Sequence, residues 1–332
     1  MDLVLLGANQ PPGRFYRGGA RIDRFRGVEP GPDYRPEDWV GSATTLAGEE
    51  ALGLSALPDG TLLRAAVGAD PVGWLGAEHL AAFGVDTMLL VKLLDAGQRL
   101  PVHAHPDDGF SRVHLGHRFG KAEAWYLLEG GTVHLGLRAP VSREALRSLV
   151  DAQDAGALLD LLHARPVSAG DIVFVPPGEL HAIGSGVFLL ELQQPEDLSI
   201  LLEWDGFELD GERLGHLGLG FDIALEAVTS EARTAAEIDE WILHPADGAS
   251  ILPSSSDRFF RLERVTVDGS AAIEEGFAIL VVERGAAVLE PERGAPVRVE
   301  RGATVALPHA AGRVRLSGTA TVLVCRPPRA GR

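Results

Sequence analysis

Gly97-Gln98-Arg99-Leu100-Pro101-Val102-His103-Ala104-His105-Pro106-Asp107-Asp108 is the stretch on which the reading of this 332-residue chain turns. One residue separates His103 from His105. Side chains two apart on a strand point to the same face, so both imidazoles can converge on one point. Upstream, residues 87–94 read as a strand, and the turn Asp95-Ala96-Gly97 delivers the chain to the histidine pair. Downstream, Gly120-Lys121-Ala122-Glu123 opens another strand, with Gly130 seven residues past Glu123. Gly170 is then followed by Pro176-Pro177-Gly178 and by His181. Three His and one Glu on neighbouring short strands make a cage of imidazole and carboxylate donors. That set suits Zn, Fe, Mn, Ni or Co, with water or substrate in the open positions. His114, His134 and His163 lack such company and read as ordinary histidines.

The composition is that of a globular protein, with 45% hydrophobic and 23% charged residues. The 40 Gly and 21 Pro scattered along the chain favour short strands and turns over long helices. A single cysteine, Cys325, excludes an internal disulfide, a Cys-based zinc finger and a CxxC redox site. The net charge of −17 argues against nucleic acid or an anionic membrane as partner, while a local basic pocket can still hold a small anion. No apolar run reaches the roughly 18 to 20 residues of a membrane span. The N-terminus, with an acid at position 2 and a short apolar stretch, does not read as a signal peptide, so a cytoplasmic location is expected. Of the 30 basic residues only Lys92 and Lys121 are Lys, and both flank the His–Glu pattern. A Lys head is a compact point charge whose pKa shifts with its surroundings, which an Arg fork does not offer.

Residues 1 to about 86 are irregular, with one predicted helix: Asp70 caps it, Pro71 begins it, Val72, Leu75, Leu80 and Phe83 form its apolar face, and Gly84 stops it. Two strands over 123–138 break at Gly130-Gly131, and residues 142–163 turn helical. Strands resume over 172–175, 186–193 and 198–204, and Thr234 with Glu237 spells a capping box. From about residue 258 seven short strand-like runs (259–267, 277–283, 287–290, 297–300, 304–307, 314–316 and 321–325) suggest a second small barrel or sandwich. Asp107-Asp108 reads as a turn capping a following helix. Gly215-x-x-Gly218-x-Gly220 has no strand before it and reads as a loop, and His309 as a surface histidine. There is no Walker A sequence and no Gly-x-Ser-x-Gly elbow.

Gly97-x5-His103-x-His105, Glu123-x6-Gly130 and Gly170-x5-Pro176-x-Gly178-x2-His181 are similar to the two cupin motifs, apart from a longer, 17-residue link between His105 and Glu123. The wider context resembles the type I mannose-6-phosphate isomerases in their short bacterial form. Lys92-Leu93-Leu94-Asp95-Ala96, His105-Pro106-Asp107-Asp108, Gly120-Lys121-Ala122-Glu123-Ala124-Trp125-Tyr126, Pro177-Gly178-Glu179-Leu180-His181-Ala182-Ile183-Gly184 and Glu191-Leu192-Gln193-Gln194 carry that resemblance, densest over residues 90–205.

The resemblance implies a mainly β fold: two cupin-like β-barrels of jelly-roll type with a small helical insertion. Residues 1–228 would form the metal-binding, catalytic domain, with the insertion at about 142–164, and residues 229–332 a second, metal-free barrel. It implies interconversion of mannose 6-phosphate and fructose 6-phosphate through an enediol, with one zinc ion held by His103, His105, Glu123 and His181. His103 stands where the family usually has a Gln ligand. Lys121 and Glu191 are the candidate catalytic groups. Pro101 replaces a Ser near the phosphate, and Leu201 replaces the family's active-site Arg, so Lys92, Arg99 and Arg138 are the candidate cations that cover for it. The partner is then a sugar phosphate, and the chain a monomer or homodimer. The two replacements keep open an isomerase of another or unphosphorylated sugar and a catalytically silent sugar-binding cupin. The three-His, one-Glu set keeps open an oxygenase.

Overall fold

The computed structural model describes residues 1–245 and 251–331. Residues 246–250 and 332, which belong to the expected second domain, lie outside the described residues. The fold is mainly β. Among the described residues seventeen strands run in chain order: β1 Val4–Leu6, β2 Glu37–Val40, β3 Leu90–Asp95, β4 His103–Ala104, β5 Glu123–Glu129 and β6 Gly131–Leu137. They continue with β7 Leu162–Val167, β8 Ile172–Val175, β9 His181–Ile183, β10 Phe188–Gln193, β11 Ile200–Leu201 and β12 Ile242–Leu243. The last are β13 Arg261–Ile273, β14 Ala278–Pro291, β15 Val297–Glu300, β16 Thr304–Leu307 and β17 Val314–Arg326.

They form three antiparallel sheets. The first has the order β12-β8-β5-β10-β3-β2 and the second β11-β4-β9-β6-β7; the third is β1-β16-β14-β17-β13, with β15 paired to β14. The chain passes from the first sheet to the second where β5 turns into β6 at Gly130. Alternation along the first sheet sorts its side chains into two cores. Val91, Leu93, Ala124, Tyr126, Leu190 and Leu192 pack outward against Ile279, Val281 and Leu323 of the third sheet. Leu94, Trp125, Leu127 and Leu189 point the other way and pack with Val133, Leu135 and Ile183 of the second sheet. Every residue of β3 is buried because both its faces are covered, and its sequence is apolar apart from Lys92 and Asp95. The same period of two puts Lys92, Glu123 and Glu191 on the inward face. Glu191 stands opposite both Lys92 and Trp125 in register, and Glu123 opposite Gln193.

The helical insertion comprises helices Arg143–Ala152 and Ala155–Asp160. Its Leu146, Val150 and Leu158 lie on the outer face of the second sheet, against Ala104, Ala182 and Ile200. The site therefore sits between the first two sheets, with helices on one side and the third sheet on the other. Among the described residues none beyond 201 lines its cavity, so the described part of the tail sheet covers the inner one and adds no side chain there.

Several expectations need correction. The single helix over 71–83 is two, Pro71–Leu75 and Ala77–Phe83. Asp70 caps the first as expected, accepting from Gly73 N at 2.9 Å. The break falls at Gly76, which has φ 83° and whose added Cβ would meet the His309 ring at 2.9 Å. His309 is accordingly half-buried against this break, and Val72, placed on the apolar face, is 58% exposed. β3 starts at Leu90 rather than 87, after Met88 with φ 57°. The strand over 198–204 shrinks to Ile200–Leu201. β7 occupies residues where the helical pattern was extended to 163. In the tail, seven short runs become three long strands, β13, β14 and β17, with β15 and β16. No helix among the described residues is long and apolar enough to cross a membrane.

Candidate metal centre and active site

β4 supplies His103, the residue two further supplies His105, and β9 brings His181 directly opposite His103 in register. The rings lie 4.0 to 5.0 Å apart, centre to centre. Each ring is oriented by a backbone carbonyl. His103 Nδ1 donates to Pro101 O at 2.8 Å, His105 Nδ1 to Leu198 O at 2.7 Å, and His181 Nδ1 to Glu179 O at 2.9 Å. A carbonyl only accepts, so Nδ1 carries the proton in all three rings and the Nε2 lone pairs remain for a ligand. One ring nitrogen from each of the three falls within 4.8 Å of the others.

Glu123 stands against this group, its Oε2 3.0 Å from His105 Nε2 and its Oε1 3.2 Å from His181 Nε2. Trp125 Nε1, two residues along the same face, donates to Glu123 Oε1 at 3.1 Å. All four residues are buried, yet His181 Nε2 has no hydrogen-bond partner. An unmet buried polar atom costs about 1 to 3 kcal/mol. A cation among these lone pairs removes that cost, so the donor set fits a metal.

Protonation agrees. Burial and the neighbouring imidazoles push His103 well below its usual range. Burial and Lys121 push His105 down to about 3. Burial would raise Glu123, but Lys121 and His105 hold it well below the usual carboxylate range. Neutral imidazole and ionised carboxylate are the forms a metal requires. Gly178, of the Pro-x-Gly spacing, donates its N–H to His105 O at 2.7 Å. It has φ 87°, and a Cβ there would meet Thr229 Oγ1 at 2.9 Å.

Beside the histidines lies a chain of alternating charges. Lys121 Nζ is 3.1 Å from His105 Nε2, 3.0 Å from Glu123 Oε2 and 3.8 Å from Glu191 Oε1. Lys92 Nζ is 3.6 Å from the same Glu191 oxygen and 3.5 Å from Glu37 Oε2, and lies 4.6 Å over the Trp39 ring. Glu191 Oε1 thus has two ammonium groups at ion-pair distance and no hydrogen bond. Burial and Glu123 raise its proton affinity above that of an ordinary Glu. Glu37 accepts from Tyr16 Oη and Trp39 Nε1, each at 2.8 Å, and from Arg14 Nε at 3.1 Å. Burial would raise it, yet Arg14 and Lys92 hold it well below its usual range.

These groups line a cavity of about 50 Å³, with Pro101, Ser199 and Leu201 among its other walls. A wider cleft of about 380 Å³ adjoins it through Asp197. Of the candidate site residues, His103, Glu123, Lys92, Lys121 and Glu191 meet in the cavity, with His105 and His181 behind them. Arg99 and Arg138 do not line it. Arg99 is committed to Glu203 through both terminal nitrogens, one at 2.8 Å from Oε2. Arg138 reaches only Asp160 O, at 3.5 Å. Asp107 caps the turn after His105 by accepting from Phe110 N at 2.8 Å, as expected.

Arg14, Tyr16 and Glu37 are among the cavity residues that sequence reasoning missed. The signal available for Glu37 was its spacing of two from Trp39 on β2, which puts both on one face. Arg14 and Tyr16 lie in irregular chain and carried no periodic signal.

No family model matches the chain. It is 33% identical over 221 residues to the mannose-6-phosphate isomerase of Streptococcus mutans, covering 64% of this chain and 66% of that protein. It is 34% identical over 128 residues to a mannose-6-phosphate isomerase of Bacillus subtilis, covering 37% of this chain and 39% of that one. The matched stretch thus spans only part of these relatives' length. The fold is shared more widely. The crystal structure of the Bacillus subtilis mannose 6-phosphate isomerase superposes with a TM-score of 0.77 at 22% identity, covering 98% of this chain and 100% of that one. A variant of the Salmonella typhimurium phosphomannose isomerase gives 0.78 at 16%, covering 99% and 100%. With the spacing of its His and Glu residues, the chain is similar over part of its length to these mannose-6-phosphate isomerases and shares their fold.

Proposed function

We propose that the chain is a metal-dependent aldose–ketose isomerase that interconverts mannose 6-phosphate and fructose 6-phosphate. The observation that carries this reading is one buried cavity in which three carbonyl-oriented histidines and Glu123 adjoin a second carboxylate, Glu191, set between two lysines. His103, His105, Glu123 and His181 would hold one divalent ion, zinc on the family's precedent. When bound, that ion supplies Lewis-acid polarisation of the sugar oxygens.

The chain's own groups handle the protons. In the forward direction the C2–H bond breaks, its electron pair forms the C1–C2 double bond of an enediol, and the aldehyde oxygen gains a proton. The proton is then returned to C1 while the C2 hydroxyl loses its own. Glu191 is suited to carry the carbon-bound proton. Its Oε1 is buried and free of hydrogen bonds, and its proton affinity is raised towards working pH. Lys121 is held protonated by Glu123 and Glu191 although burial opposes it, so it serves as a donor to a developing oxyanion rather than as the base.

In this reading residues 1–228 form the metal-binding jelly-roll barrel and residues 229–332 a second, metal-free one, with two strands exchanged: β12 pairs in the first sheet and β1 in the third. The reading carries with it a cytoplasmic location, a sugar phosphate partner, and a monomer or homodimer.

A second reading, an isomerase of an unphosphorylated sugar, draws on Pro101 and Leu201, which present apolar walls where the family carries Ser and Arg. A coupled assay of zinc-loaded protein for fructose 6-phosphate from mannose 6-phosphate separates the two, with His181→Ala as control. Turnover that vanishes in the control supports the first. No turnover with metal bound refutes it, and a parallel assay on free aldoses then distinguishes the second reading from a silent sugar-binding cupin.

A further inference from the structure

We infer that Arg14 is the residue that binds the phosphate of the substrate, a role that rests on the sugar-phosphate reading of the cavity. Three cations line that cavity: Lys92, Lys121 and Arg14. The two lysines are committed. Lys121 is shared among His105, Glu123 and Glu191, and Lys92 lies between Glu37 and Glu191 with the Trp39 ring beneath it. Both are nearly sealed, with side chains 6% and 4% exposed, whereas that of Arg14 is 15% exposed.

A guanidinium has five N–H donors in a fixed fork. Arg14 directs Nε and Nη2 at one oxygen, Glu37 Oε1, each at 3.1 Å. Its Nη1 has no hydrogen-bond partner among the described residues, so one edge of the fork is open. The other edge is clamped. Glu37 is held in turn by Tyr16 and Trp39, and the Arg14 backbone N–H donates to Tyr34 O at 3.0 Å. Such a fork is pre-ordered for a tetrahedral oxyanion.

The neighbouring walls are Leu100, Pro101 and Leu201, which bring no competing donor and lower the local dielectric. Ser199 adds a hydroxyl to the same wall. Asp197 also faces Arg14 and is the charge a bound phosphate must outcompete. The chain would thus place its phosphate-binding cation on the N-terminal segment, in the cavity that Leu201 also lines.

The test is calorimetric titration of the metal-loaded protein with mannose 6-phosphate, and with inorganic phosphate as competitor. Wild type, R14L, R14K and the double variant R14L/L201R are compared, with metal content and melting temperature recorded for each. R14L is expected to lose roughly 10- to 100-fold in affinity for mannose 6-phosphate, the worth of a charge-assisted contact. R14K, which keeps the charge but not the fork, is expected to fall between, and R14L/L201R to recover at least part of the loss. Should R14L not fold, R14K carries the comparison with wild type. Wild-type affinity in a folded R14L or R14K overturns the inference, as does a wild type that binds neither probe. Binding that depends on Arg14 without turnover sinks the isomerase reading and leaves this one standing.

Discussion

Replacing Lys92 with Met keeps the stem that packs on Trp39 but strands two buried carboxylates. The Lys92 Nζ is 3.5 Å from Glu37 Oε2 and 3.6 Å from Glu191 Oε1, and all three side chains are 4% exposed. At an effective dielectric of about 20, one such contact is worth roughly 4 to 5 kcal/mol, offset in part by the cost of drying the ammonium. Breaking a buried pair by removing one partner costs about 3 to 5 kcal/mol. That is the expected loss of unfolding free energy at pH 7, read by urea titration.

The pH dependence identifies the cause. Burial raises Glu37, but Arg14 and Lys92 hold its folded pKa below the usual range. It therefore contributes stability above the unfolded value, near ~4.3, and that contribution is lost as pH falls through the folded value. Without Lys92 the folded value climbs back and the contribution shrinks. The wild-type and K92M stability curves should lie far apart at pH 7 and converge below about pH 4. Glu191, already raised, should climb further, moving the acid limb of kcat/KM to higher pH. A K92M protein as stable as wild type, or a gap that does not change with pH, would refute the electrostatic account and leave only lost packing.

Three further predictions concern the metal centre. Chelation should lower the melting temperature of the loaded wild type, and His181→Ala should abolish both the bound metal and that difference, because the cation is what satisfies His181 Nε2; calorimetry with metal analysis reads both. Since His105 is driven down to about 3, protons compete for it only in strong acid, so metal retention should persist to about pH 5, well below where free histidine clusters release theirs, as read by dialysis against stepped buffers. Gly178→Ala forces a side chain into φ 87° and against Thr229 Oγ1 at 2.9 Å; it should cost roughly 1 to 3 kcal/mol and weaken metal binding by moving the N–H that holds the His105 carbonyl. Retained stability together with full metal content would dispose of that role for Gly178.

What sequence reasoning reached, and what it missed, divides by range. The metal-ligand candidates stand out because their signal is local: two residues apart on a strand means one face, and glycines fix the approaches. The tail is harder. Asp268-Gly269-Ser270 is spelled like a turn, yet it pairs as continuous strand with Ser317-Gly318-Thr319, its side chains exposed on a long ribbon. Turn chemistry and solvated strand use the same residues there, and only the partner strand decides between them. The helix over 71–83 fails for a related reason. Its period persists across Gly76, but the His309 ring from the tail takes the space a helical side chain would need.

Arg14 is the most instructive case. It lies some ninety residues from His103 in irregular chain, and no spacing rule connects the two. The cations expected to replace the missing Arg, Lys92, Arg99 and Arg138, lie nearer the motif in sequence, and Arg99 is spent on Glu203. A buried cation's availability depends on which carboxylate claims it first. That competition is settled by long-range pairs such as Arg14–Glu37 and Arg99–Glu203. The His103-x-His105 pair is legible from spacing, because side chains two apart on a strand share a face. The charge that selects the substrate is a remainder left after every other ion pair has formed, and a remainder becomes visible only once the whole set of pairs is known.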